Sequence, residues 1–362
     1  MYPSLSIDIE KLRKNLDALC AAVKGAGCSL MIVTKSFCAD DGIVDMLLSH
    51  PSVDYLADSR IQNIKTYAGK GKSTVLLRLP QECEIPEVVR HADISLNSEI
   101  RTLGLLNEEA ARQGKTHRVV LMIDLGDLRE GIYFEDEGKI FAAVEAILKM
   151  KNLEFYGLGT NLTCYGGVIP KADNLSLLTA WADRIHERFG LKSAMVSGGN
   201  SSSYYLIGRG GLPEGINNLR LGEAFILGNE TAWGSRIENT FADGVILEAQ
   251  VIEVQTKRSL PVGELGVDAF GQKKTFEDRG IIKRAILAVG RQDVDTENIA
   301  PEDPGVTILG SSSDHLMLDI SDSAADYRAG DVLRFTLKYG ALLRAFTGAY
   351  VSRRHIKSST KK

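Results

Sequence analysis

The segment HRVVLMIDLG (117–126) is followed by a helical stretch and then by LEFYGLGTN (153–161). Both segments are apolar and rich in β-branched or aromatic residues, which is typical of buried strands. The stretch between them carries one apolar helical face, formed by Ile140, Phe141, Val144, Ile147 and Leu148. A strand, a crossover helix and a second strand form a unit of a parallel sheet. This unit decides the fold class, because the first 230 residues repeat it.

Six more strand candidates lie on either side of this unit. They are SLMIVTK (29–35), VDYLAD (53–58), STVLLRL (73–79), ADISLN (92–97), SAMVSGG (193–199) and NNLRLG (217–222). Eight strands with helical crossovers predict an α/β fold, a (β/α)8 TIM-type barrel, whereas a miscount of one would instead allow a doubly wound sheet. We place the barrel at residues 1–230 and expect residues 1–8 to be a strand that is able to join the second domain.

The pattern changes after Gly228. Five strand candidates follow with no convincing helix between them: DGVILEAQVIEVQTK (243–257), IIKRAILAVG (281–290), VTILGSS (306–312), HLMLDIS (315–321) and DVLRFTLKYG (331–340). Residues 231–362 are therefore predicted to form a C-terminal all-β domain with an antiparallel sheet. The acidic segment DTENIAPEDPG (295–305), which contains two prolines, is interpreted as a surface loop.

Composition excludes several classes of protein. The 362 residues include 43 Lys and Arg against 47 Asp and Glu, so the formal net charge is −4 and there is no basic excess to bind nucleic acid. No apolar run approaches the roughly 18 residues of a membrane span. The N-terminal residues lack the pattern of a secretory signal, and the five cysteines are scattered, so we expect a cytoplasmic protein with reduced thiols. The six histidines show no metal-ligand spacing, and no metal is predicted.

The ends of the last two barrel strands point to a phosphate site. In such barrels the catalytic groups lie at the carboxyl ends of the strands, and phosphate often binds after strands seven and eight. Strand seven runs into SGGNSSS (197–203), and strand eight ends in RLGE (220–223). Glycines let backbone N–H groups approach an anion, and seryl hydroxyls add donors. The alternative is a Gly/Ser-rich turn without a ligand.

The first barrel strand ends in VTKSF (33–37), which places Lys35 at the same edge. Partial removal from water there would favour the neutral, nucleophilic amine. A phosphate pocket, this lysine and Arg220 together indicate pyridoxal 5'-phosphate (PLP) held by Lys35 as an aldimine. Taken alone, Lys35 is more simply a surface lysine.

Two further strand ends supply candidate site residues. Arg129 follows strand five and is able to bind a substrate carboxylate through its guanidinium fork; the alternative is an ion pair with Asp124, Asp127 or Glu130. Asn161 follows strand six. It would hydrogen-bond the cofactor ring or a neighbouring arginine, or else cap a loop.

These residues, in this order, resemble the PLP-dependent alanine racemase family, also called fold type III, over essentially the whole chain. The resemblance implies that Lys35 is the Schiff-base lysine, that Arg129 meets the substrate carboxylate and that Arg220 faces the pyridine nitrogen. It also assigns phosphate contacts to four residues of the barrel: Asn200, Ser201, Gly222 and Glu223.

In the second domain, SSDHLMLDIS (312–321) resembles the family's Met-Asp segment and aligns Ser313 and Asp314 with the substrate site. Tyr350 in GAYVSRR (348–354) resembles a phosphate-contacting tyrosine. The family's second base is a tyrosine followed by glycine from the partner subunit, but Phe270-Gly271 stands there and phenylalanine cannot exchange a proton. Asp268, two residues earlier, is our first substitute, with Asp314 and His315 as weaker ones.

Four segments resemble more narrowly the ornithine racemase branch: DLGDLREGIY (124–133), GTNLTCYGGVIP (159–170), SGGNSSS and GVDAFGQK (266–273). The branch implies interconversion of L- and D-ornithine, or of a related amino acid, in the cytoplasm of a bacterium. The family resemblance implies a homodimer whose active site is shared between subunits. Met122, where many alanine racemases have a lysine, and Asn161, where they have a histidine, argue against alanine. The distal ammonium of ornithine then requires an acidic acceptor, for which Asp127, Glu130 and Asp268 are candidates.

Other functions stay open at this point. Alanine, lysine and broad-specificity racemases share the same motifs. A fold-type-III decarboxylase shares the barrel and the lysine, but its usual glycine-rich phosphate motif and C-terminal cysteine motif are not seen. A non-catalytic PLP-binding protein would share Lys35 and the phosphate loop without the second domain.

Overall fold

The computed structural model describes residues 1–273 and 275–356, which form nine α-helices and seventeen strands. As far as Ile226 the elements are, in chain order, β1 (Ser4–Asp8), α1 (Ile9–Gly25), β2 (Ser29–Val33), α2 (Asp41–Ser49), β3 (Tyr55–Asp58), α3 (Ile61–Tyr67), β4 (Ser73–Leu76), α4 (Ile85–His91), β5 (Ile94–Asn97), α5 (Ile100–Arg112), β6 (His117–Asp124), β7 (Ile132–Tyr133), α6 (Glu137–Lys149), β8 (Leu153–Gly159), α7 (Ala172–Phe189), β9 (Met195–Ser197), β10 (Asn218–Leu221) and α8 (Glu223–Ile226). The remaining elements are β11 (Val245–Arg258), β12 (Ile281–Leu287), β13 (Ile299–Pro301), β14 (Thr307–Ser311), β15 (Leu316–Asp319), β16 (Val332–Leu337), α9 (Tyr339–Thr347) and β17 (Ser352–Ile356).

Eight parallel strands close into a barrel, in the order β2, β3, β4, β5, β6, β8, β9, β10. The closing pair joins β10 to β2, with Asn218 opposite Ser29 and Leu221 opposite Ile32. Each of the eight predicted strands contains one of these elements, so the prediction of a (β/α)8 barrel is confirmed. The two-residue β7 adds a short parallel pairing at the end of β6.

Apolar side chains fill the barrel interior. The central cluster contains Met31, Ala57, Val75, Ile94, Leu96, Val120, Met122 and Met195, each at most 1% exposed. Outside the sheet, α1 turns its apolar face inward with a buried stripe of Leu12, Leu16, Leu19 and Val23. Because the interior is packed, functional side chains have room only beyond the strand ends.

The second unit is built on β11. Its main sheet has the order β13, β16, β11, β12, β15, β14, and β1 pairs antiparallel with β11 and parallel with β17. The predicted C-terminal β domain with an antiparallel sheet is confirmed. One detail is corrected: residues 295–305 are not only loop, since β13 forms an edge strand on β16. The domain also contains one short helix, α9, which follows β16.

The chain divides into two compact units, Leu12–Phe241 and Met1–Lys11 with Ala242–Lys362. The division at residue 241 differs from the boundary predicted at residue 230, because the intervening segment bonds back to the barrel unit. The Phe241 N–H donates to Asn15 Oδ1 at 2.6 Å, and Arg236 Nη1 donates to the Leu227 carbonyl at 2.8 Å. Within the described ranges, no helix combines enough length with enough apolar character to cross a membrane.

Candidate active site

Lys35 lies at the carboxyl end of β2, as the sequence predicted, at the start of a single 3-10 turn over Lys35–Phe37. The strand leading to it is buried, and Thr34 and Ser36 on either side of it are buried as well. Lys35 itself is half-buried. The barrel strand therefore fixes the backbone of this lysine, and its side chain is partly exposed.

A buried polar cluster lies beside Lys35. Asp58, at the end of β3, accepts hydrogen bonds from Thr34 Oγ1 at 2.5 Å and from Asn63 Nδ2 at 3.0 Å. Burial raises the pKa of the Asp58 carboxyl to about 6, although these hydrogen bonds and the charge of Lys35 act in the opposite direction. Tyr67 lies 3.2 Å from Thr34 Oγ1 and completes the cluster.

This cluster predicts how stability depends on pH. The pKa of Asp58 rises from 3.8 to about 6 on folding, so the folded state binds this proton more tightly than the unfolded state does. Its contribution to stability is complete below pH 3.8 and is lost as the pH rises through about 6, a change of at most about 3 kcal/mol. We expect Asp58→Asn to remove this part of the pH dependence. Melting temperatures of both proteins from acid to neutral pH measure it, and parallel curves would contradict it.

Arg220 is the most deeply buried cation of the site, at 2% exposure on β10. It donates to Ser197 Oγ at 2.6 Å, to the Thr160 carbonyl at 2.5 Å and to Asn161 Oδ1 at 2.5 Å. Burial lowers the pKa of Arg220 to about 10, while the negative charge of Glu130 raises it. At this value the guanidinium stays charged at neutral pH, so a fixed positive charge stands at the end of the last barrel strand.

A hydrogen-bonded chain extends from Arg220 to Arg129. Asn161 Nδ2 donates to Glu130, and Glu130 accepts from Nε and Nη2 of Arg129. Arg129 therefore forms an ion pair with Glu130, which is one of the carboxylates named above as its alternative partners. Asn161 contacts a neighbouring arginine, Arg220. Burial acts to lower the pKa of Arg129, but the hydrogen bonds to Glu130, the neighbouring Cys164 side chain and the charge of Glu130 outweigh it and raise the pKa above its ordinary value.

Asp127 has a different role from the predicted one. It is fully buried, and its carboxylate accepts from the backbone N–H groups of Thr163, Tyr165 and Val168 at 2.9, 3.0 and 3.1 Å. These bonds hold the loop after β8 against the loop after β6. The expectation that Asp127 receives a substrate ammonium is corrected, because its side chain is fully buried and both carboxylate oxygens already accept hydrogen bonds from backbone N–H groups.

We expect Asp127→Ala to lower the free energy of unfolding by about 3 kcal/mol, because it leaves three backbone N–H groups without their acceptor. Asp127→Asn should lose about half as much, since Oδ1 alone accepts two of the three bonds. Urea denaturation of the three proteins tests this ranking. A stable Asp127→Ala protein with selectively weakened binding of a diamino acid would instead restore the role in substrate binding.

The predicted phosphate elements meet at Ser201. Its Oγ accepts from the backbone N–H groups of Gly222 at 3.3 Å and Ala224 at 3.2 Å, so the loop after β9 touches the end of β10. Asn200 instead holds loops together: its Oδ1 accepts from the Ser202 N–H, and its Nδ2 donates to the Leu162 carbonyl. Burial, with the nearby charge of Glu230 as a smaller cause, raises the pKa of Glu223 to about 7.

The other predicted site residues belong to the second unit. Asp268 lies in a turn, where its Oδ1 accepts from the N–H groups of Phe270 and Gln272 at 2.9 Å. Asp268 therefore lies outside the strands, in the segment that follows β11. Asp314 is exposed and accepts from Ser313 Oγ at 2.6 Å and from Gln292, and Tyr350 is 72% exposed.

Sequence reasoning missed Asp58 and its partners Thr34 and Tyr67. The strand-end rule already contained the signal for Asp58, because this residue closes the predicted strand VDYLAD. Its relation to Thr34 depends on the pairing of β2 with β3, which the sequence of either strand alone does not specify.

Comparison with known proteins identifies similar sequences and structures. The family model described as alanine racemase, N-terminal domain, matches residues 7–229. An ornithine racemase from Acetoanaerobium sticklandii is 51% identical over 98% of this chain and 99% of its own length, and a lysine racemase from Thermotoga maritima is 37% identical over 98% of each. The crystal structure of alanine racemase from Bartonella henselae with covalently bound pyridoxal phosphate has a TM-score of 0.74, at 18% identity, and covers 98% of this chain and 100% of that one.

Proposed function

Because the chain belongs to the alanine racemase family, we propose that it is a PLP-dependent amino-acid racemase that interconverts L- and D-ornithine. The observation that carries the proposal is the identity with an ornithine racemase over half of the positions and nearly the whole length of both chains. A second relative acts on lysine by its name, and both names specify diamino acids. Lysine is therefore the second candidate substrate.

The residues at the strand ends fit PLP. Ser202 and Ser36 each carry a buried hydroxyl without a hydrogen-bond partner among the described residues, next to Ser201 and Lys35. A Cβ on Gly199 would lie 2.7 Å from Ser203 Oγ at a φ of +108°, so only glycine suits this loop. Lys35 would hold the cofactor covalently, Ser201 with the backbone of Gly222 and Glu223 its phosphate, and Arg220 its ring nitrogen.

PLP, when bound, supplies an electron-withdrawing ring that acidifies the α-proton of an amino acid. The amine of Lys35 takes or returns this proton on one face. Arg129 binds the substrate carboxylate and thereby fixes which bond at the α-carbon is exposed to Lys35. Arg220 is a permanent cation and cannot give the ring a proton, which limits side reactions that need a protonated ring.

We assign proton transfer on the opposite face to Asp268 of a second copy of the chain, since Phe270 has no proton to exchange. The segment around Asp268 exposes apolar side chains, with Val262, Val267 and Phe270 at 87%, 68% and 44% exposure. Such a surface supports a homodimer in which this segment is covered. Asp314 and Tyr350 complete the set of residues that we assign to substrate and phosphate. All five cysteines are free thiols, which supports a cytoplasmic location.

Proton NMR of the purified protein with PLP in D2O tests the proposal, using L-ornithine with L-lysine and L-alanine in parallel and chiral chromatography of the products. We expect loss of the α-proton signal and appearance of D-ornithine, faster than for the other two amino acids. Faster reaction of lysine or alanine would change the assigned substrate. Release of CO2 with putrescine would indicate a decarboxylase, and no exchange with any amino acid would contradict racemisation.

A further inference from the structure

Glu130 stands between the two arginines of the site. Its side chain is 18% exposed, and both carboxylate oxygens are engaged. Oε2 accepts from Arg129 Nε, and Oε1 accepts from Arg129 Nη2 at 2.6 Å and from Asn161 Nδ2. Its charge is thus already paired within the protein, which leaves little of it for a substrate ammonium.

Glu130 contacts Arg129 along one edge of its guanidinium, and Cys164 is a further neighbour of this arginine. A guanidinium presents two forks of parallel N–H groups, one formed by Nε and one Nη, the other by the two Nη atoms. Glu130 occupies the Nε–Nη2 fork. Glu130 does not use the Nη1–Nη2 fork, so a substrate carboxylate that binds there would not displace Glu130.

Asn161 links the Glu130–Arg129 pair to Arg220, and its amide fits between them in one orientation only. Arg220 is solely a donor and an ionised Glu130 solely an acceptor, so the amide of Asn161 must turn Oδ1 to the arginine and Nδ2 to the glutamate. A carboxylate at position 161 would repel Glu130. An amide is thus suited to join a cation to an anion, and it relates the position of Arg129 to that of the buried Arg220.

We propose that Glu130 is a positioning residue that holds one edge of Arg129 and, through Asn161, fixes this arginine relative to Arg220, so that its other edge receives the substrate carboxylate. The proposal rests on the proposed function in taking an amino acid as the ligand of Arg129. It removes Glu130 from the candidates for the ammonium of ornithine.

The test uses Glu130→Gln in the PLP-loaded enzyme, with Glu135→Gln as the control, because Glu135 is an exposed carboxylate of the same loop region. KM for L-ornithine and the inhibition constant of L-norvaline, which keeps the carboxylate but lacks the distal amine, are both measured. We expect Glu130→Gln to raise both by the same factor, about tenfold or more, with a smaller change in kcat. In an Arg129→Lys background the same substitution should add less than about twofold, because it acts through Arg129.

A rise in KM for ornithine with unchanged norvaline inhibition would overturn the proposal, since Glu130 would then bind the ammonium. Unchanged values for both ligands would overturn it too. A readout that does not depend on activity is the Nε–Hε NMR signal of Arg129 in 15N-labelled protein, identified by its loss in Arg129→Lys. We expect this signal to move towards those of solvent-exposed arginines in Glu130→Gln, and an unmoved signal would contradict the proposal.

Asn161→Asp provides a second variant if Glu130→Gln folds poorly. It places an acceptor against Glu130, and we expect the same parallel loss of ornithine and norvaline binding with the same shift of the Arg129 signal. Normal norvaline binding in a folded Asn161→Asp protein would count against the connection to Arg220. If the wild-type protein does not racemise ornithine, the proposed function fails, while the NMR signal of Arg129 still decides the role of Glu130.

Discussion

Replacing Lys35 with alanine should lower kcat for ornithine racemisation by at least about a thousandfold, because one amine both holds the cofactor and transfers the α-proton. Lys35 follows the end of a buried strand and begins a short turn, and it is half-buried. The substitution removes a half-buried side chain and little packing, so the melting temperature of the cofactor-free protein should stay close to that of the wild type.

Lys139→Ala is the matched control for Lys35→Ala, because Lys139 is an exposed lysine of α6 that pairs with Asp136. Its activity should equal that of the wild type. Added methylamine should restore part of the activity of Lys35→Ala but should not affect the control, since a small amine is able to enter the space left by the lysine. Activity of Lys35→Ala within tenfold of the wild type would exclude Lys35 as the proton-transferring group.

The second large effect concerns Arg220, and here we expect a loss of both stability and activity. Arg220→Ala leaves Ser197 Oγ, the Thr160 carbonyl and Asn161 Oδ1 without their donor and opens a cavity in the barrel. Unsatisfied buried acceptors and a cavity together should lower the free energy of unfolding by about 3 kcal/mol or more. Urea denaturation of the cofactor-free protein measures this loss.

Arg101→Ala is the control for Arg220→Ala, because Arg101 is 75% exposed and its ion pair with Glu82 lies on the surface. A change within about 0.5 kcal/mol is expected there. Arg220→Lys retains the charge but not the three directed bonds, so it should recover only part of the stability. If Arg220→Ala were as stable as the Arg101 variant, the network around Arg220 would have no structural role.

The barrel could be predicted from sequence because its strands are buried on both faces. Segments such as SLMIVTK and STVLLRL are apolar without alternation, and turn residues separate them from the helices. The structure of the second unit was harder to predict from sequence. Helix α9 contains Ala341, Leu342, Ala345 and Phe346 at helical spacing, but no helix was predicted there, and its first two residues lay at the end of the predicted strand DVLRFTLKYG. Strand β13 ends in a proline, and a proline argues against a strand in a sequence pattern although an edge strand tolerates it.

The sequence predicted which residues lie at the candidate site, but it did not predict which side chains contact one another there. Strand ends identify Lys35, Arg129, Asn161 and Arg220, because topology alone brings them to one end of the barrel. Which carboxylate meets Arg129 depends on the path of the loop after β6. Asp127 accepts hydrogen bonds from backbone N–H groups, whereas Glu130 pairs with the guanidinium of Arg129. Two acidic residues three positions apart give no sequence signal for this difference.

Strand β1 also constrains the order in which the chain can be assembled during translation. It ends at Asp8, but its partners β11 and β17 begin at Val245 and Ser352. On the ribosome β1 therefore emerges first and pairs among the last, after the whole of Leu12–Phe241 has been synthesised. The barrel has all of its strands available by then. Nascent chains that stall after residue 241 would present a complete barrel together with an unpaired first strand.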